Sequence, residues 1–126
     1  MHWSDDEIAL RHQAEQGFTV VCNASVKGPH TNLIAWAKDN DKYTYIGRRI
    51  PFHKEYTTDS RWCNKPPKEI KGDKIAEVNY FITEIYNKRP DLQAAIHELR
   101  GRVLGCWCKP GPCHGDFLAR EAKIPG

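Results

Sequence analysis

With 126 residues, 40% of them hydrophobic and 28% charged, the chain has the length and balance of one soluble globular domain spanning 1–126, and no apolar run approaches the roughly 18 residues of a membrane-spanning helix. The formal charge of +3 is too small for a protein that grips duplex nucleic acid mainly by neutralising phosphates. Five cysteines, three crowded together with Cys22 and Cys63 far off, do not read as a disulfide framework, and the acidic opening Met1 to Glu7 lacks the positive end and apolar stretch of an export signal; a reducing cytoplasm is the expected setting.

Ser4 followed by Glu7 is a capping-box pattern, and Ile8, Leu10 and Ala14 continue it to Gly17, so residues 1–17 are expected to hold an N-terminal helix. Phe18 to Cys22 is a short β-branched and aromatic run without clean alternation, which predicts a strand buried on both faces. After a loop to His30, Leu33 to Ala37 predicts one or two helical turns, and Tyr43 to Ile46 a second strand stopped by Gly47. Arg48 to Gly72, with three prolines and no sustained period, predicts a long loop. It gathers Arg48, Arg49, Lys54, Arg61, Lys65, Lys68 and Lys71, with Lys74 just beyond, and such a stretch suits phosphate. Asp73 caps a helix whose Ile75, Val78, Phe81, Ile82 and Ile85 recur at helical spacing up to Pro90; a second apolar stripe, Leu92, Ala95, Ile96 and Leu99, ends at Gly101. Arg102 to Trp107 predicts the third strand, Pro110-Gly111-Pro112 a tight loop, and Asp116 to Ala122 a closing helix. Strands separated by helices predict an α/β fold, a small Rossmann-like three-layer domain with a short, mainly parallel sheet flanked by helices.

The last strand runs into C-W-C-K-P-G-P-C-H-G-D, Cys106 to Asp116. In a strand, Cys106 and Cys108 point to one side and Trp107 to the other, toward core; the loop returns Cys113 and His114 toward the pair. Thiolates with an imidazole are zinc chemistry, so Cys106, Cys108, Cys113 and His114 are candidate metal ligands, although C-x-C-x₄-C-H departs from the usual paired hooks and adjacent Cys113 and His114 sit awkwardly for one ion. The same place, beyond a strand's carboxyl end and before a helix, also lowers a thiol's pKa. Cys108 or Cys113 is then a candidate nucleophile with His114 moving a proton, and Asp116 is a helix-start charge or an acid. The cradle of a cysteine phosphatase lacks its arginine here. Plain burial is an equal reading for Cys106 and the better one for Cys22 and Cys63.

Y-I-G-R (Tyr45 to Arg48), S-R-W-C-N (Ser60 to Asn64) and L-R-G-R-V-L-G-C-W-C-K-P-G-P-C-H-G-D (Leu99 to Asp116) resemble the small domain of unknown function numbered 4326, common in phage and bacterial genomes, over a core of about 18–122. In that family the middle motif follows soon after Y-I-G-R and reads like S-K-W-G-N-P; here Arg49 to Asp59 intervene, Cys63 replaces the glycine, and Lys65 separates Asn64 from Pro66. A more distant likeness, to an uncharacterised Rossmann-like group whose last strand leads into C-H-R, implies that Cys113 and His114 line a pocket. Carried onto this chain, the resemblance implies a site in which Arg48 and Arg61 meet anionic groups, Trp62 stacks and Asn64 hydrogen-bonds, with Tyr45 and Gly47 beside them; solvated surface charge is an equal reading for the two arginines, core or lid the slightly better one for Trp62, and a strand end and a turn the plain reading of Tyr45 and Gly47, where Gly47 also lets the backbone approach a ligand. Arginine forks suit phosphate and an aromatic face suits a base. The expected ligand is therefore a nucleotide, nucleobase, nucleotide-derived cofactor or single-stranded nucleic acid; the rival is a zinc-stabilised module that binds nucleic acid or a protein, including a host protein if the chain is phage-encoded.

Overall fold

The computed structural model describes residues 2–109 and 111–123, so Pro110 of the predicted loop lies outside the described residues. Helix α1 spans Asp5–Glu15, strand β1 Val20–Asn23, helix α2 Thr31–Asp39 and strand β2 Tyr43–Tyr45. Helix α3 (Lys74–Tyr80) runs on through a π turn at Phe81–Ile85 and a 3₁₀ turn at Tyr86–Lys88; α4 (Pro90–Ala95) leads through another 3₁₀ turn, Ile96–Leu99, to strand β3 (Val103–Cys106), and α5 (His114–Glu121) follows.

All three strands are parallel, and β3, last in sequence, lies in the middle in the order β1-β3-β2. Helices cover both faces, which is why β1 and β3 carry apolar residues without alternation. On one face Val20, Cys22 and Val103 pack with Ala14 of α1 and Leu33, Ile34 and Ala37 of α2. On the other, Val21, Leu104 and Cys106 meet Phe81, Leu99, Phe117 and Leu118. This is the small α/β architecture expected from the pattern.

The capping box forms as written: Glu7 N donates to Ser4 Oγ at 3.1 Å and Ser4 N to Glu7 Oε1 at 3.1 Å. Glu7 is itself buried, and its Oε2 accepts the α2 amide of Leu33 at 3.0 Å, so one carboxylate caps one helix and anchors the next. The strand expected from Phe18 starts at Val20; Phe18 is half exposed. The predicted loop 48–72 holds one 3₁₀ turn, Lys68–Ile70. The long helix capped by Asp73 is present, yet Ile75 in its first turn faces solvent; the π turn further on re-aims the chain, so that Phe81 and Tyr86, five residues apart, both stand edge-on to Phe117 of α5, at 6.3 and 5.0 Å between ring centroids.

Candidate functional site: three thiols at the mouth of a cavity

Strand β3 ends at Cys106, one residue earlier than the sequence suggested, so Cys108 lies in the following turn rather than in register with it. Trp107, expected in the core, is turned out and 39% exposed, because the chain leaves the sheet there; its indole Nε1 donates to Tyr45 Oη at 2.6 Å and its ring stands edge-on to Tyr45 and Tyr56. The turn closes through Gly111 N donating to the Cys108 carbonyl at 2.8 Å. Asn23, at the end of β1, donates its Nδ2 to the Lys109 carbonyl at 2.8 Å and so ties the loop to the neighbouring strand. Nothing in the sequence marked Asn23, since its partner stands 86 residues away.

The turn folds the second half of the motif back onto the first. The sulfur atoms of Cys106, Cys108 and Cys113 all lie within 4.8 Å of one another, with Cys106 Sγ and Cys113 Sγ 2.7 Å apart. Cys113 is also the N-cap of α5: its Sγ accepts from Gly115 N at 3.3 Å, while Asp116 Oδ2 accepts from Cys113 N at 3.2 Å. Gly115 presses this helix end onto the sheet, since a Cβ there would stand 2.7 Å from Ile46 Cδ1 and 3.0 Å from Val21 Cγ1.

The expected four-ligand set is thus three thiols in the structure. His114 stands outside the cluster, buried against Phe81 with 4.8 Å between ring centroids. Its Nε2 lies 2.9 Å from the Ile46 carbonyl, a pure acceptor, so Nε2 carries the proton and Nδ1, 3.8 Å from Cys113 Sγ, keeps its lone pair. Burial pushes the imidazole's pKa down, against the pull of the Ile46 carbonyl, and favours the neutral ring. Asp116 is occupied at the surface by the cap and by an ion pair of its Oδ1 with Lys109 Nζ at 2.5 Å.

Without a metal, the three thiols share charge unequally. Hydrogen bonds from Cys106 and then Cys113 pull the Cys108 pKa down, with burial opposing and Lys74 helping. Donating to Cys108 raises the Cys106 thiol, and its bond with Cys106 raises Cys113. The half-buried Cys108 is the natural thiolate. Cys22 behaves otherwise: it lies on the opposite face of the sheet, and burial pushes its thiol up to about 12.

A cavity of about 270 Å³ opens over the cluster, and all three cysteines and His114 line it. Gly47, Arg48 and Asn64 from the two upstream motifs line it as well. Gly47 has no room for a side chain, because a Cβ would stand 2.5 Å from Tyr45 Oη. Asn64 Nδ2 donates to the Glu77 carbonyl at 2.8 Å, which leaves Asn64 Oδ1 buried and without a partner among the described residues. Lys71 and Lys74 add positive charge, and neither they nor Arg48 form an ion pair among the described residues. The basic central stretch carried the only advance signal for the two lysines.

Three candidates are placed elsewhere. Tyr45 does not line the cavity but braces its wall, donating from Oη to the Arg48 carbonyl at 2.6 Å. Trp62 is buried, so its ring offers no free face for a ligand. Arg61 lies over Trp62, 5.3 Å from the ring centroid, and pairs with Glu98 at 3.4 Å, facing a separate hollow lined by Thr44, Leu99 and Arg102. The stretch 60–64 therefore splits: Trp62 goes to core, Arg61 to the far side, and Asn64 to the cavity.

Fold and site together define a small parallel α/β domain with a three-cysteine cluster at the carboxyl end of its central strand. The family profile described as a domain of unknown function (DUF4326) matches residues 13–124, and the chain belongs to that family. It is 31% identical to an uncharacterised 12.4 kDa protein in the nrdA-td intergenic region of Enterobacteria phage T4, over 61% of this chain and 81% of the relative. No solved structure matches the chain.

Proposed function

We propose that this domain binds a nucleotide or nucleotide-derived ligand in the cavity and acts on it, in the manner of an enzyme, at a zinc ion held by Cys106, Cys108 and Cys113. The reading is carried by one observation: three thiols and three cations that form no ion pair among the described residues line a single cavity. Its size suits a mononucleotide better than an extended dinucleotide cofactor, since drug-sized ligand sites begin at about 300 Å³. Arg48, Lys71 and Lys74 meet the phosphate, Arg48 by its planar fork. Pro66, Val78 and Trp107 give the ligand an apolar wall.

Thiolates suit zinc, and zinc–sulfur bonds of about 2.3 Å would need sulfur–sulfur separations of about 3.8 Å, so Cys106 and Cys113 would have to part to hold the ion with Cys108. Held by these three thiolates, a zinc ion would supply Lewis-acid chemistry at the cavity they line. Neutral His114, protonated at Nε2, turns the lone pair of Nδ1 toward Cys113 Sγ.

Burial of Cys106 and Cys113, each 1% exposed, favours a second reading in which the ion is only structural, as closed sites are. Metal analysis with calorimetric titration of nucleoside monophosphates separates the two. We expect one zinc per chain, nucleotide binding that Arg48→Ala and Lys74→Ala weaken, and a chelated protein that stays folded but inactive. Unfolding on chelation selects the structural ion; absence of nucleotide binding by the folded, metal-loaded chain overturns the proposal.

A further inference from the structure

We infer that the ligand in this cavity is one unit of a single strand of nucleic acid, and that Phe52, on the loop leaving the cavity at Arg48, is the stacking platform for a neighbouring base. The inference rests on the nucleotide reading above and names its substrate class.

Phe52 is fully exposed, at 106% of its reference area, with φ +64°. An aromatic residue in the left-handed region is strained, and a ring in water recovers none of that cost by burial. The conformation is nevertheless firmly built. Ile50 N donates to the Tyr56 carbonyl at 2.9 Å and His53 N to the Ile50 carbonyl at 3.1 Å. His53 Nδ1 accepts from both Glu55 N and Tyr56 N, at 3.0 and 3.1 Å, and its ring stacks on buried Tyr56 at 4.6 Å. Tyr56 in turn stacks on Tyr45 at 3.9 Å and stands edge-on to Trp107, a residue of the cavity wall. The loop thus holds one ring out in solvent on a base anchored to the cavity wall.

Charge identifies the occupant. The two acids at the loop's base are neutralised, Glu55 by Lys38 at 2.7 Å and Asp59 by Lys65 at 2.8 Å. Arg48, Arg49 and Lys54 form no ion pair among the described residues. A fully exposed ring flanked by cations with no ion pair among the described residues, continuous through Arg48 with a cavity of mononucleotide size, is the combination that binds single strands: phosphates on the cations, bases on the aromatic face. A protein-docking patch would instead present a contiguous apolar area.

The test uses fluorescence anisotropy with labelled oligothymidylate and oligouridylate of about ten nucleotides, with uridine and thymidine monophosphate titrated in parallel. Phe52→Ala should weaken oligonucleotide binding about tenfold, the scale of one lost base–aromatic stack, and leave monophosphate binding unchanged; Phe52→Trp should retain it. Phe52→Gly, which also relieves the backbone strain, should melt no lower than the parent and bind strands as weakly as the alanine variant. Strand binding indifferent to Phe52, no strand binding by a chain that binds monophosphate, or Phe52-dependent binding of phosphatidylserine vesicles in place of strands would each overturn the inference. Phe52-dependent strand binding without any monophosphate binding would uphold it while removing the mononucleotide reading of the cavity.

Discussion

Cys113 serves two structures at once: its sulfur belongs to the cluster, and it caps α5 by accepting from Gly115 N. Serine and alanine therefore separate the two roles. Cys113→Ser keeps an oxygen acceptor at the cap while removing one thiol from the proposed zinc site; Cys113→Ala loses both and should be about 1 kcal/mol less stable than the serine variant. Denaturant titration of the metal-free proteins checks the difference. Cys22→Ser and Cys63→Ser, whose sulfurs lie outside the cluster, should leave the zinc content at the parent value by elemental analysis. At this scale the sequence was informative wherever chemistry is local. Cys106, Cys108 and Cys113 fall within eight positions, so one turn is enough to gather them, whereas His114 left the ligand set because its Nε2 had a partner at Ile46 that no local spacing announces. Arg61 was drawn away in the same manner by Glu98, 37 residues on.

Among the elements, α1 and α2 are coupled by Glu7. Burial alone would raise its pKa, but bonds from the Ser4 and Leu33 amides and from Asn32 outweigh that, and the carboxyl ends below its ordinary value of 4.5. A carboxyl lowered on folding stabilises the fold fully above the ordinary value and loses that contribution as the pH falls through the lower, folded value. Urea unfolding between about pH 6 and pH 3 should accordingly show stability falling with acidification, and Glu7→Gln, which keeps the shape but does not titrate, should flatten the curve. The capping box behind this behaviour was legible as Ser4 and Glu7. The π turn was not: apolar spacing predicts a helix over 73–90, but Phe81 and Tyr86 share a face only because Phe117, from another helix, packs against both. Tyr86→Ala, by emptying that contact, should cost about 3 kcal/mol, read as a lower denaturation midpoint.

For the molecule as a whole, two apolar clusters on opposite faces of the sheet hold the fold, and the sulfur cluster sits at the edge of one of them. Zinc should add to this stability without being required for it: at a free concentration a hundred times its Kd, the ion should raise the unfolding free energy by about 2.7 kcal/mol, seen as a rise in the denaturation midpoint over the chelated protein. The parallel α/β class followed from the alternation of helices and strands, but not the central place of β3, because strand order is set by packing between segments far apart in sequence.

That central place sets the sulfur cluster apart from the exposed loop. Cys106 ends a strand held by neighbours on both sides, and Cys108 and Cys113 fold back onto it, whereas the segment bearing Phe52 springs from the outer strand β2 and meets the body through Tyr56 and the Glu55–Lys38 ion pair. A graft that keeps Tyr56 but exchanges the tip would change the face the loop presents to solvent while leaving the thiol cluster undisturbed.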